Sequence, residues 1–186
     1  MKKYLLTFIV MFVSVLNVLA DDETTGAKFT IKTSKAIGET IEIEAICTNT
    51  SDAITVDWGD GGQTSYTSTR PWSGLITAED KIKSKTITIS GNIKQLEIKK
   101  AGLTAFEATG ADAIEKLTLT DNELTGLTLT DMPKLTYLNL GSNKLESSKL
   151  SIDGVASSVT DLTLKDNALV TLDLRKFSKL NNFYAS

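Results

Sequence analysis

The chain carries one cysteine and no histidine in 186 residues. The commonest general base and the commonest transition-metal ligand are therefore both missing. Cys47 has no second thiol to pair with. It sits on the alternating run Ile41-Glu42-Ile43-Glu44-Ala45-Ile46-Cys47, which places it on the Ile41/Ile43 face as a small buried hydrophobe. Nothing near it in sequence would lower its pKa, so a reactive thiol is not expected. Asp57 and Asp60, in Val56-Asp57-Trp58-Gly59-Asp60-Gly61-Gly62, are spaced like calcium ligands. Calcium takes about six to eight oxygens, and two carboxylates fall well short. Asp60-Gly61 also suits a tight turn with positive φ, with Trp58 filling the core. A structural turn is expected here, with calcium binding as the alternative. Ser–Lys dyads and carboxylate pairs exist on paper, but the acids are scattered over solvent faces. No phosphate-cradling glycine motif is present. Together these features predict no catalysis, no cofactor and no metal.

The remaining polar clusters, Asp121-Asn122 and Asp166-Asn167, belong to a repeat. Four copies fit L-x-x-L-x-L-x-x-N-x-L. They begin at Ile93, Ile114, Leu135 and Val159, and a fifth begins at Leu180. Only Ala101 departs from Asn at the ninth place. Each copy opens with a short strand such as Leu117-Thr118-Leu119. Alternation sends Leu117 and Leu119 inward and Lys116, Thr118 and Thr120 outward. The chain then turns inside an apolar core, which leaves backbone groups without water. A carboxamide both donates and accepts, so Asn122, Asn143 and Asn167 are predicted to stack as a structural ladder. After the turn come apolar pairs at Leu127/Leu129, Leu150/Ile152 and Leu172/Leu174, in extended segments on the convex side. The third copy is three residues longer, and its extra chain around Glu146-Ser147-Ser148-Lys149 and Ile152 to Ser158 is predicted to bulge as a convex loop.

This pattern resembles the short-repeat leucine-rich-repeat (LRR) proteins of the internalin type, secreted or surface-bound in bacteria. The likeness covers about half the chain. It implies a solenoid with a concave parallel sheet and recognition of proteins, including host extracellular ones. Fold alone does not name the partner. The chain departs from the family by stopping inside its fifth copy, so more repeats or a partner are expected to complete that edge, and self-association through it is an alternative.

Residues 27–91 show short strands at Phe29/Ile31, Ile41/Ile43/Ala45, Ile54/Val56/Trp58, Thr64/Tyr66 and Ile87/Ile89, separated by turn residues. A small β-sandwich is predicted, covering the open end of the solenoid. The Asp57-Trp58-Gly59-Asp60-Gly61 stretch resembles that of polycystic-kidney-disease-type (PKD), immunoglobulin-like domains, which implies the same architecture. The whole is thus read as mainly β: residues 1–20 a signal peptide, 27–91 a β-sandwich cap, and 92–186 an LRR domain. The leader rests on Lys2 and Lys3, the apolar run Tyr4 to Leu19, and small residues ending at Ala20 before Asp21-Asp22-Glu23. Removing Lys2 and Lys3 leaves 18 basic against 23 acidic residues. That acidic balance argues against nucleic acid and gives no polybasic membrane patch. A secreted or surface-bound recognition module is expected, with a protein ligand and no small-molecule substrate. A glycan-binding or structural envelope protein is the alternative. The concave face is the expected site: Tyr137 and Tyr184 as anchors, surrounded by Lys116, Asn139, Asp161 and Lys165.

Overall fold

The computed structural model describes residues 26–70 and 72–185. The expected leader and Ser186 lie outside them. Among the described residues the chain is mainly β and contains no α-helix. Six strands precede the repeats: β1 (Ala27–Thr33), β2 (Thr40–Cys47), β3 (Ala53–Asp57), β4 (Gln63–Thr67), β5 (Leu75–Lys81) and β6 (Thr86–Gly91). The repeats contribute β7 (Ile93–Glu97), β8 (Leu103–Thr109), β9 (Lys116–Thr118), β10 (Leu127–Thr128), β11 (Tyr137–Asn139), β12 (Leu150–Ser151), β13 (Asp161–Thr163) and β14 (Asn182–Tyr184). They wind into a solenoid-like arrangement of about four turns.

Alternation explains the N-terminal strands. β1, β2 and β3 bury every second residue, with Phe29, Ile31, Ile43, Ile54 and Val56 fully inaccessible. β5 was not predicted. Only Ile76 and Ala78 are buried in its Leu-Ile-Thr-Ala-Glu-Asp-Lys run, so its apolar signal is too short to stand out.

Five antiparallel strands form one sheet in the order β4-β3-β6-β1-β8. Seven form a second, β14-β13-β11-β9-β7-β2-β5. In that sheet β7, β9, β11, β13 and β14 run parallel. β2 joins β7 antiparallel, and β5 joins β2 the same way. The boundary expected at 91/92 thus falls within shared sheets: β2 extends the repeat sheet, while β8, from the first repeat, pairs with β1. One continuous apolar core runs through both parts, from Phe29 to Phe177.

Away from the seven-stranded sheet, β10 pairs parallel with β12, Leu127 opposite Leu150. Of the two stretches expected to bulge in the lengthened third repeat, Glu146 to Lys149 is half-buried to exposed, whereas Ile152 to Ser158 does not bulge outward. It forms a 3-10 turn at Asp153–Val155, with Val155 and Ala156 buried. Gly154 sits where a Cβ would come within 2.8 Å of the Leu129 carbonyl oxygen. The three extra residues therefore enlarge the core: Val155 and Ala156 bring apolar area that is favourable only out of water.

Candidate functional site

The inner turns position the concave strands, and asparagine holds those turns. Lys100, Asp121, Ser142 and Asp166 occupy the same place in successive repeats, and all are left-handed, with φ between 51° and 56°. The next residue points its carboxamide into the turn. Asn143 Nδ2 donates to the carbonyls of Leu119 (2.8 Å), Leu140 (3.0 Å) and Gly141 (3.3 Å), and its Oδ1 accepts from Leu124 N–H (3.1 Å). Asn122 bonds Ile98 and Thr120 carbonyls and accepts from Ala101 and Leu103 N–H. Asn167 bonds Leu140, Leu164 and Lys165 carbonyls and accepts from Leu145 N–H. Each asparagine thus clamps its own turn to the preceding one. At the first repeat, where Ala101 replaces asparagine, the Thr33 hydroxyl donates to the Ala101 carbonyl at 2.6 Å. A strand of the N-terminal part thus holds the first turn through a different backbone group from those the asparagines serve.

Stacked in this way, the strands align in register across all seven positions. One row runs Leu75, Ile46, Gln95, Lys116, Tyr137, Asp161, Asn182. The next runs Thr77, Glu44, Glu97, Thr118, Asn139, Thr163, Tyr184. At ~4.8 Å per strand the face is about 29 Å wide. Lys116 and Asp161 flank Tyr137 directly, and Tyr184 lies on the outermost strand, 56% exposed. Lys165 lies beyond the end of β13 and is exposed. The Asn139 amide donates to the Tyr137 hydroxyl at 3.3 Å and its oxygen accepts from Gly141 N–H at 3.1 Å. Asp161 accepts from Thr160 (2.6 Å) and Asn182 (2.5 Å), which hold its carboxyl below the ordinary carboxylate range.

A cleft of about 260 Å³ opens on this face where the antiparallel β2 meets the parallel strands. Ile46 and Leu75 form an apolar wall. Tyr137 and Lys116 face it from the repeats, and Gln95, Thr118, Glu44 and Glu97 supply polar atoms. It gathers Lys116 and Tyr137 from the expected site and leaves Asn139, Asp161, Lys165 and Tyr184 outside. Glu44 and Glu97 stand directly opposite each other on β2 and β7. A hydrogen bond from one carboxyl to the other raises the Glu44 pKa, and partial burial and the charges of Glu97 and Glu42 add to the rise. Lys99 pairs with Glu97 at 2.5 Å. The sequence reading placed no N-terminal residue in the site. The repeat begins only at Ile93, although the Ile41–Cys47 alternation puts Glu42, Glu44 and Ile46 on one outward face.

The other candidates are occupied by the fold. Asp57 Oδ1 accepts from Gly59 (2.8 Å) and Gly61 (3.1 Å) N–H. Asp60 accepts from Gly62 N–H at 3.1 Å and pairs with Lys83 at 2.7 Å, which lowers its pKa. Trp58 is buried and donates to the Tyr66 hydroxyl at 3.0 Å in an edge-on ring pair. Gly59 is required there: its φ is +106°, and a Cβ would lie 2.4 Å from Ser84 Cβ. Among the described residues no group of three or more His, Cys, Asp or Glu side chains is placed to hold a metal ion. Cys47 is buried, and burial together with Asp52 pushes its thiol up to about 11. Comparison with known protein families, characterised proteins and solved structures finds no match to the chain.

Proposed function

We propose that the chain is a secreted, non-catalytic recognition module: an LRR-type solenoid with a β-sandwich at its N-terminal end, binding a protein partner on the concave face. The internalin-like repeat motif and the asparagine-clamped turns support the LRR reading. The division of the six N-terminal strands between two sheets that share one apolar core supports the sandwich. The apolar run before Ala20 supports secretion. One observation carries the functional part: seven strands in register present a mixed polar face on which Tyr137 stands between Lys116 and Asp161. Such a face suits a polar protein interface with few anchors.

The test is capture of extracellular proteins and glycans on the immobilised protein, repeated with Tyr137→Ala and Lys144→Glu. A partner retained by the wild type and Lys144→Glu but released by Tyr137→Ala supports the assignment. Truncating Tyr137 is expected to cost about 1–2 kcal/mol, or more for a central anchor. Retention indifferent to both Tyr137 and Tyr184 overturns it.

A further inference from the structure

The cleft at the β2–β7 junction has a composition that narrows the partner's chemistry. This step rests on the concave face being the binding face. At about 260 Å³ the cleft is smaller than the ~300–1,000 Å³ typical of a drug-sized ligand site. It suits one long side chain. Ile46 and Leu75 offer an apolar wall, Tyr137 an aromatic ring, and Glu44 and Glu97 paired carboxyls. Thr118 is 9% exposed, and its hydroxyl has no hydrogen-bond partner among the described residues. Because no fully occluded side-chain N or O is left unpaired, this hydroxyl opens into the cleft. Thr118 is thus an unused hydrogen-bonding group opposite Glu97, with Glu44 one strand further on.

Charge sets the sign of the missing group. Glu42, Glu44 and Glu97 meet only Lys99 at close range. Glu44 and Glu97 face each other directly across β2 and β7 with room for a second cation between them. Lys116 lies one strand away, opposite Gln95.

We propose that the cleft receives an arginine side chain of the protein partner. Its aliphatic stem lies along Ile46 and Leu75, and its guanidinium lies between Glu44 and Glu97 within reach of Thr118 and the face of Tyr137. The planar fork of arginine matches paired carboxylate oxygens and stacks on aromatic rings, which an ammonium does not do as well. The guanidinium pairs with the ionised form of Glu44, whose pKa is raised. Binding therefore needs Glu44 ionised, and affinity falls as pH drops through its raised pKa. The groups facing Glu44 are Glu42 on its own strand, Thr77 on β5 with Glu79 opposite Glu42, Glu97 and Lys99 at β7, Lys116 on β9 and Tyr137 on β11.

The probe is N-acetyl-arginine methylamide, titrated into the purified protein and followed by backbone amide chemical shifts. N-acetyl-citrulline methylamide is the neutral counterpart. The arginine probe should give saturable shifts confined to β2, β7 and β9, and the citrulline probe should give none. Glu44→Gln and Glu97→Gln preserve size and should each weaken binding about tenfold, as for a charged hydrogen bond, whereas Glu79→Gln should not. The wild-type affinity should rise with pH, and Glu44→Gln should flatten that profile. Equal binding of citrulline, no saturable shift with arginine, or indifference to both glutamine variants would overturn the inference. If that happens while a protein partner still depends on Tyr137, only the cleft assignment falls. If Tyr137 does not matter either, the binding face itself is wrong.

Discussion

Replacing Asn143 by alanine isolates the device that holds the solenoid turns. The residue is 8% exposed. Of its four partners, the Leu140 carbonyl keeps a bond from Asn167 and the Gly141 carbonyl keeps one from Asp121 N–H. The Leu119 carbonyl and the Leu124 N–H lose theirs. Stranding one buried polar group costs about 1–3 kcal/mol, and water reaching the small cavity would relieve part of it. A loss of about 2–4 kcal/mol is expected. For a protein of this size that lowers Tm by roughly 4–16 °C. Thermal and urea unfolding followed by circular dichroism measure it, with an unchanged m-value showing that the native surface is preserved. Asn143→Asp should be at least as harmful, since it turns an acceptor pair and its charge toward carbonyls that need donors. Asn167→Ala should cost less, because that residue is only half-buried and lies nearer the less buried last turn. If Asn143→Ala melts with the wild type, the ladder is not what holds the turns. If Asn167→Ala costs more, burial is not what sets its magnitude.

Three further outcomes follow from the same geometry. Ala101→Asn should destabilise despite restoring the repeat motif, because Ala101 is 1% exposed and its carbonyl already accepts from Thr33; a higher Tm would show that the first turn has room. EDTA should leave Tm nearly unchanged, since Asp57 and Asp60 are engaged by glycine N–H groups and Lys83; a drop of many degrees would revive calcium binding at the turn. Glu44 binds its proton more tightly folded than unfolded. Its stabilising contribution is therefore complete below the ordinary glutamate pKa and fades as pH rises through the raised value. Glu44→Gln should accordingly gain stability relative to wild type above that window and show a flatter Tm–pH curve, and parallel curves would refute the raised Glu44 pKa.

The local rules were legible in the residues themselves. Period-two burial announced β1, β2, β3 and β6, because a strand exposes alternate faces whatever it packs against. The repeat announced the concave register to the residue: Lys116 beside Tyr137 beside Asp161 follows once three strands stack at equal spacing. The asparagines were identifiable because only a group that donates and accepts can serve a buried turn. Tertiary structure decided how the two halves meet. No pattern within Thr40–Cys47 says that β2 will pair with β7, since backbone hydrogen bonds between strands carry no side-chain signature. That pairing extends the concave sheet by two strands, lays Glu44 against Glu97, and opens the cleft beside Tyr137. The lengthened third repeat shows the same limit. Its composition suited a surface loop, yet Val155 and Ala156 are buried, because the space beneath them exists only once the neighbouring turns have stacked.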